Sequence, residues 1–293
     1  MSHIHAFTPE NFPDYELLDS GDFLKLERFG PVITIRPEPQ AVWSPSERIA
    51  AWERHAHLRF VPKSSSSGDW KKLKPALDRW NIGYTLENRS AIQFRLALTS
   101  FKHVGIFPEQ AVNWEYIAET IGMMKVTKPK FLNLFAYTGG ASLAARVAGA
   151  EVTHVDSIKQ VVTWANENQQ LSGLDNIRWV VEDALKFVKR EQKRGNTYHG
   201  IILDPPAYGH GANGEKWKLE DNINEMMMTV LQLLDEKSHF LILNAYSLGF
   251  SSMILENLVK PHAPQHLQCG ELFLEDRYQK KLPLGAFARF RKV

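Results

Sequence analysis

Cysteine is nearly absent from this chain, with Cys269 the single one in 293 residues. No intramolecular disulfide can form, which suits a reducing compartment, and a cytoplasmic location is expected. Long apolar runs are missing too, so no helical membrane span is predicted. The opening residues Met1-Ser2-His3-Ile4-His5 lack the basic, apolar and small-residue blocks of a secretory leader. No metal is expected either. His55 and His57 stand two apart, a spacing that cannot share one helix face, and no thiolate or acidic motif accompanies them. An excess of one charge is lacking: the net charge of +2 permits a nucleic-acid substrate without arguing for one. The G-x-G-x-x-G pattern of nicotinamide-binding folds is absent, which places a dehydrogenase last among the readings. Internal repeats are absent. What remains is 44% apolar, ample for a core, at a length that suits one large domain and one small one.

The most informative stretch is Ile201-Ile202-Leu203-Asp204-Pro205-Pro206-Ala207-Tyr208-Gly209. An apolar strand delivers a carboxylate, and two prolines fix the backbone beyond it. Proline has a locked φ and no N–H, so the carbonyls of Asp204 and Pro205 are not drawn into a helix or an internal ladder. Acceptors beside an acid and a flat ring suit a planar group that carries N–H donors, such as the amine edge of a base. Taken alone, the run also reads as a strand end with a proline turn and a surface tyrosine.

A second motif lies upstream. Phe131-Leu132-Asn133-Leu134-Phe135-Ala136-Tyr137-Thr138-Gly139-Gly140-Ala141-Ser142 is a strand, a paired-glycine turn and the start of an alanine-rich helix. Glycine permits close backbone approach to a ligand, and helix-start amides favour anions. The strand from Val152 to Val155 ends in Asp156, roughly 20 residues past the turn, where an acid is placed to bind ribose hydroxyls. Val180-Val181-Glu182-Asp183-Ala184 ends a third strand in another carboxylate, which is placed either to accept from an adenine amine or to cap the next helix. In a doubly wound sheet these strand ends gather at one edge, where ligands bind.

In this order and spacing, residues 103–293 resemble a class I S-adenosylmethionine (SAM)-dependent methyltransferase, nearest to the bacterial large-subunit ribosomal RNA enzymes that modify cytosine C5 or guanine N7. The resemblance rests on FLNLFAYTGGAS, THVDSIKQVVTWANENQQLSG, VVEDALKFV and LDPPAYG. It implies an α/β fold with a Rossmann-like seven-stranded methyltransferase sheet. It implies that Phe135, Ala136, Tyr137, Thr138, Gly139 and Gly140 hold the methionine part of SAM. Asp156 with the adjoining Ser157 would hold the ribose, and Asp183 with Ala184 the adenine. The segment from His103 to Gln110 resembles the family loop that closes over SAM, which brings in Phe107 and Gln110; it reads equally as a helix start, with Pro108 at the first helical position. Asp204 to Tyr208 would face both the methyl group and the acceptor, and S-adenosylhomocysteine would be the product.

One departure bears on the chemistry. Cytosine-C5 methylation needs a cysteine thiolate to attack the ring. The C5 enzymes of this branch carry that cysteine where this chain has Leu243-Asn244-Ala245-Tyr246-Ser247. Nitrogen methylation needs no covalent step, only positioning and an acceptor for a proton. The expectation is therefore a base nitrogen in ribosomal RNA, oriented by Asp204 and the Pro205 carbonyl, stacked on Tyr208 and hydrogen-bonded by Asn244. A methyltransferase for proteins or small molecules would use the same pocket, and so would a non-catalytic SAM-binding module.

Residues 1–60 read as a small β-rich N-terminal domain, with strands Phe23 to Phe29 and Val32 to Arg36. A short helix is predicted from Ser44-Pro45-Ser46-Glu47, which has capping-box spacing. Lys63 to Gly68 reads as a flexible linker or loop. Residues 61–102 form a connecting segment whose Trp70, Trp80 and Tyr84 suit core packing better than base stacking. The catalytic domain spans 103–293. The loop 209–218 reads equally as a lid or a solvated connection. Lys71, Lys72, Lys74, Lys216, Lys218, Arg289, Arg291 and Lys292 are phosphate-contact candidates.

Overall fold

Alternating apolar strands and amphipathic helices beyond residue 110 give a parallel sheet with helices on both faces. The computed structural model describes residues 4–64, 67–210, 214–247, 249–263 and 266–293. In chain order the strands are β1 (Ile4–Phe7), β2 (Tyr15–Gly21), β3 (Leu24–Phe29), β4 (Val32–Pro37), β5 (Leu58–Pro62), β6 (Gly68–Lys72), β7 (Arg79–Thr85) and β8 (Ala91–Ala97). They continue as β9 (Lys130–Leu134), β10 (Glu151–Asp156), β11 (Ile177–Val181), β12 (Gly200–Leu203), β13 (Tyr208–His210), β14 (Lys216–Lys218), β15 (His239–Ala245), β16 (Gln268–Glu275) and β17 (Lys281–Lys292). The helices are α1 (Ile49–His55), α2 (Ala111–Met123), α3 (Gly140–Val147), α4 (Lys159–Leu171), α5 (Ala184–Lys193), α6 (Leu219–Leu231) and α7 (Ser252–Val259).

The large sheet runs β1-β16-β17-β15-β12-β9-β10-β11. Seven of these strands are the expected ones, with β17 antiparallel between β15 and β16. The eighth, β1, comes from the N-terminus and pairs parallel to β16, Ile4 opposite Cys269. Gly270 makes this docking possible, since a Cβ there would lie 1.8 Å from the His5 carbonyl oxygen. The strand order reverses between β9 and β12, the point where open α/β sheets bind ligands.

A second sheet, β2-β3-β4-β5-β6, covers residues 15–72 and so extends beyond residue 60. Of the two readings of 63–68, linker or loop, the structure shows a loop. Pro62 pairs with Gly68 and the Lys63 amide donates to the Ser67 carbonyl (2.9 Å), so the segment closes a hairpin; Ser65 and Ser66 lie outside the described residues. The helix expected from Ser44 begins instead at Ile49. The Ser46 and Glu47 amides are drawn to the Asp19 carboxylate (3.2 and 2.8 Å), a tertiary acceptor that replaces the local cap.

The hairpin β7–β8 lies against α4, whose Trp164 indole donates to the Arg95 carbonyl (2.7 Å) while Asn168 accepts from the Arg95 amide (2.8 Å). Trp80 and Tyr84 are buried in the main core, Tyr84 edge-on to Trp114 of α2 at 5.4 Å. The second sheet is tied to the β16–β17 turn by Lys280 to Asp19 (2.6 Å) and Ser20 to Asp276 (2.9 Å). These bonds hold it over the carboxyl edge of the large sheet. No helix of the described residues is long and apolar enough to cross a membrane.

Candidate active site

The ends of β9, β10, β11, β12 and β15 open into one cavity of about 740 Å³, whose far wall is the second sheet. Of the residues singled out from sequence, Phe107, Gln110, Phe135, Tyr137, Asp156 and Ser157 line it. So do Asp183, Ala184, Asp204, Pro205, Tyr208 and Asn244. Ala136, Thr138, Gly139 and Gly140 stand behind the wall as its support. The Thr138 hydroxyl donates to the Gly105 carbonyl (2.7 Å), and its own carbonyl accepts from Asn168 (3.0 Å). A Cβ on Gly140 would meet the Trp114 indole at 2.6 Å, so protein packing by itself demands glycine there, and Gly139 takes a left-handed φ of 92°. Phe135 and Tyr137, not the glycines, turn the chain toward the cavity, both with left-handed φ (55° and 48°). Non-glycine residues held there carry strain that the surrounding structure must impose.

Asp156 anchors that strained turn. Its Oδ2 accepts from the Tyr137 amide and its Oδ1 from the Ile158 amide, each at 2.9 Å. Burial raises its pKa against the pull of these amides. Each oxygen keeps a lone pair for a hydroxyl donor. Asp183 does cap α5, accepting from the Lys186 amide (2.9 Å), and its remaining oxygen borders the cavity. Gln110 and Asn244 belong to a buried amide network: Asn113 donates to Gln110 (2.9 Å) and to Asn244 (3.1 Å), and Arg289 donates to Asn113 (3.4 Å). The Asn244 amide also donates to Gln110 (3.3 Å), so Asn244 is largely committed to this network.

Behind the Asp-Pro-Pro run, the β13–β14 hairpin is fixed by Trp217. Its indole donates to the Pro206 carbonyl (2.7 Å), and the Leu219 amide takes the Ala207 carbonyl (3.0 Å). The candidate lid at 209–218 is therefore an anchored hairpin on both sides, while residues 211–213 lie outside the described residues. Tyr208 is 68% exposed, its ring available at the cavity mouth. The Asp204 carboxyl receives no hydrogen bond from the described residues, and burial raises its pKa to about 6.

Sequence reasoning did not find the other half of the cavity. Lys25 and Arg36, with Glu38, reach it from β3 and the end of β4. Arg36 pairs with Glu27 at 2.7 Å, Lys25 with Glu38 at 3.3 Å, and the Tyr246 hydroxyl donates to Glu38 at 2.6 Å. Lys102 and His103 complete this wall; burial and the nearby cations lower the His103 pKa to about 3, so the imidazole is neutral. A signal existed: Lys25, Glu27 and Arg36 interrupt otherwise apolar strands at positions that share a face. Glu109, 6% exposed, also lines the cavity, and burial pushes its carboxyl up to about 7.

Several phosphate-contact candidates are already engaged. Arg289 is buried, its guanidinium 4.1 Å from the Tyr116 ring centre. Arg291 pairs with Glu119 (3.1 Å), Lys292 donates to the Glu236 carbonyl (2.8 Å) and Lys72 pairs with Asp78 (2.8 Å). Cys269 is buried among apolar side chains away from the cavity, and its thiol is pushed up to about 11 by burial. Among the described residues no group of three His, Cys, Asp or Glu could hold a metal.

The family described as S-adenosylmethionine-dependent methyltransferase matches residues 36–264. The chain belongs to that family. A crystal structure of a SAM-dependent methyltransferase from Agrobacterium tumefaciens superposes with a TM-score of 0.91 at 37% identity, over 100% of this chain and 95% of that one. A ribosomal RNA large subunit methyltransferase K/L of Shewanella frigidimarina is 30% identical over 156 residues, 52% of this chain and 21% of the relative. A ribosomal RNA large subunit methyltransferase I of Aeromonas salmonicida is 31% identical over 107 residues, 36% of this chain and 26% of the relative. The chain thus spans about a fifth to a quarter of the length of these curated relatives. As a member of the family it is a methyltransferase with SAM as cofactor. The cavity suits that molecule: two strand-end carboxylates with free acceptor capacity, a strained aromatic turn and a Gln110 amide NH₂ face one space.

Proposed function

We propose that this methyltransferase acts on a nitrogen atom of a base in ribosomal RNA. SAM supplies a methyl group already activated on a sulfonium. In this reading Phe135, Tyr137 and Gln110 hold its methionine part, Asp156 and Ser157 its ribose, and Asp183 with Ala184 its adenine. Asp204 and the Pro205 carbonyl receive the N–H edge of the acceptor, and Tyr208 stacks on the ring. RNA as acceptor is supported by the two curated relatives, both named ribosomal RNA methyltransferases. A cytoplasmic location goes with that substrate.

The observation that carries the reading is the Asp204 carboxyl, which takes no hydrogen bond among the described residues, at the end of β12 beside an exposed aromatic ring. A buried acceptor left unpaired costs stability, and a substrate donor would repay it. The absence of any cysteine from the cavity lining supports nitrogen over cytosine C5. The test is transfer of labelled methyl from SAM to an extract of cells lacking this protein, split into RNA, protein and small-molecule fractions, with Asp204→Ala as control. Label in large ribosomal RNA that vanishes with the variant is expected. Label confined to another fraction would discard RNA as the acceptor.

A further inference from the structure

Glu109 is a carboxyl that the fold hides and does not satisfy. It sits in the short turn Pro108–Gln110 ahead of α2, lines the cavity and is 6% exposed. Among the described residues no side chain comes within ion-pair distance of it, and its carboxyl takes a hydrogen bond only from its own amide. The nearby carboxylates Glu27 and Glu38 are treated differently, each held by a cation and a tyrosine hydroxyl. An unpaired buried carboxyl is destabilising, so its retention calls for a use.

Its position says which use. Lys25 and Glu27 of β3, Asp204 of the Asp-Pro-Pro run and the Tyr246 hydroxyl are among the groups that interact electrostatically with Glu109. Arg36, Glu38, Lys102, His103 and Tyr246 complete the charged and titratable lining on this side. Glu109 therefore shares the part of the cavity lined by Lys25, Glu38, Tyr246 and Asp204.

Resting on the reading of Asp204 as acceptor site, we propose that Glu109 is the catalytic proton acceptor and that the substrate nitrogen is an exocyclic amine of a base. The step balances as follows. The amine lone pair forms the new C–N bond as the C–S bond breaks, and that bond's electrons stay on sulfur. The amine loses one N–H proton to ionised Glu109, which becomes a neutral carboxyl, while Asp204 holds the second N–H. A ring nitrogen such as guanine N7 has no proton to release and would leave Glu109 without a task. Proton transfer to a positioned carboxylate is typically worth on the order of 10²–10⁴-fold in rate.

The test uses large-subunit RNA from cells lacking this protein, labelled SAM, and the full-length wild type, Glu109→Gln and Glu109→Asp over a range of pH, with the labelled nucleoside identified by mass spectrometry. An amino-methylated nucleoside is expected. Wild-type kcat should rise through about pH 7 and then level, following ionisation of Glu109. Glu109→Gln should lose on the order of 10²–10⁴-fold in kcat and the rise near pH 7, with KM for RNA and SAM affinity within about twofold. Glu109→Asp should recover part of the rate together with the pH dependence. SAM binding by titration calorimetry shows that each variant is folded. A Glu109→Gln enzyme of wild-type rate, a loss carried by KM alone, or a methyl group on guanine N7 or on carbon would overturn the proposal. A wild type that labels no RNA would overturn the underlying reading instead, and this one with it.

Discussion

Two pairs of carboxylates, Glu27 with Glu38 and Glu109 with Asp204, lie at one cavity or just behind its wall and are handled in opposite ways. Glu27 is fully enclosed, which by itself would raise its pKa, but Arg36 and Lys25 hold it down at about 2. Glu38 is likewise lowered, burial being outweighed by Lys25 and the Tyr246 hydroxyl. On the other side Glu109 is pushed up to about 7 and Asp204 to about 6, in each case by burial. Depth in the protein does not separate the pairs, because Glu27 and Glu109 are both buried. Provision of a partner does. Where the chain uses a charge to hold the second sheet in place it supplies a counter-ion, and where it leaves a carboxyl facing open space the partner has to come from outside.

The largest effect should follow from breaking the paired side. Arg36→Met leaves Glu27 buried with Lys25 at 3.6 Å as its remaining cation. Removing one partner of a buried pair typically costs about 3–5 kcal/mol, and urea unfolding should register a loss of that order. A loss below about 1 kcal/mol would mean that the ion pair does not anchor the sheet.

The unpaired side should respond with the opposite sign. Glu109 has a folded pKa near 7 against an ordinary value of 4.5, so the folded state binds the proton more tightly than the unfolded chain does. Wild-type stability from this group is then highest below the ordinary carboxylate range and falls as pH rises from 4.5 toward 7. Glu109→Gln should therefore be more stable than wild type at pH 8 by about 3 kcal/mol, from about 1.36 kcal/mol for each pKa unit. Measured at about pH 4 the gain should be gone. Glu27 runs the other way: its contribution is present above pH 4.5 and is lost as pH falls toward 2. Equal stability of Glu109→Gln and wild type across this range would erase the distinction between the two pairs.

Asp156 lies between these extremes, held by backbone amides, Tyr137 and Ile158 foremost, and by no cation among the described residues. Asp156→Ala should weaken SAM binding by about 1–3 kcal/mol through the lost hydrogen bond. Asp156→Asn keeps one acceptor oxygen and should weaken it less. Unchanged affinity in a titration of the alanine variant would sink the ribose assignment.

The strand-end side of this cavity was legible in the sequence because local pattern encodes it. Strand period, a glycine turn and an acid at each strand tip follow in order along residues 131–208, and the sheet brings those tips together. The wall that the second sheet adds was not legible. Lys25, Arg36 and Glu38 share a cavity with Asp204 across more than 160 residues of chain, and only the docking of the second sheet brings them there. The same holds for β1, whose pairing with β16 joins opposite ends of the chain. The helix expected at Ser44 failed for a related reason: the competing acceptor, Asp19, lies on another element. Glu109 was visible as a first-turn acid, yet nothing local tells an acid that favours a helix start from one buried in a cavity.

The smallest effect concerns the one cysteine, and it tests whether the unpaired carboxylates are the chemistry of this site at all. Cys269 lies on β16 between Ile4 of β1 and Ala288 of β17, buried in the core that includes Leu255 and Val259. Burial, with Glu256 adding to it, holds the thiol at about 11, far from the thiolate that a covalent mechanism needs. Cys269→Ser exchanges a small apolar group for a hydroxyl and should cost about 1 kcal/mol of stability. Methyl transfer should stay within about twofold of wild type, since no step assigned to Glu109 or Asp204 passes through sulfur. A variant that folds, binds SAM and transfers nothing would bring Cys269 into the reaction and return covalent attack on a ring carbon to consideration. The two unpaired carboxylates would then be spectators, and their raised pKa values would report burial alone.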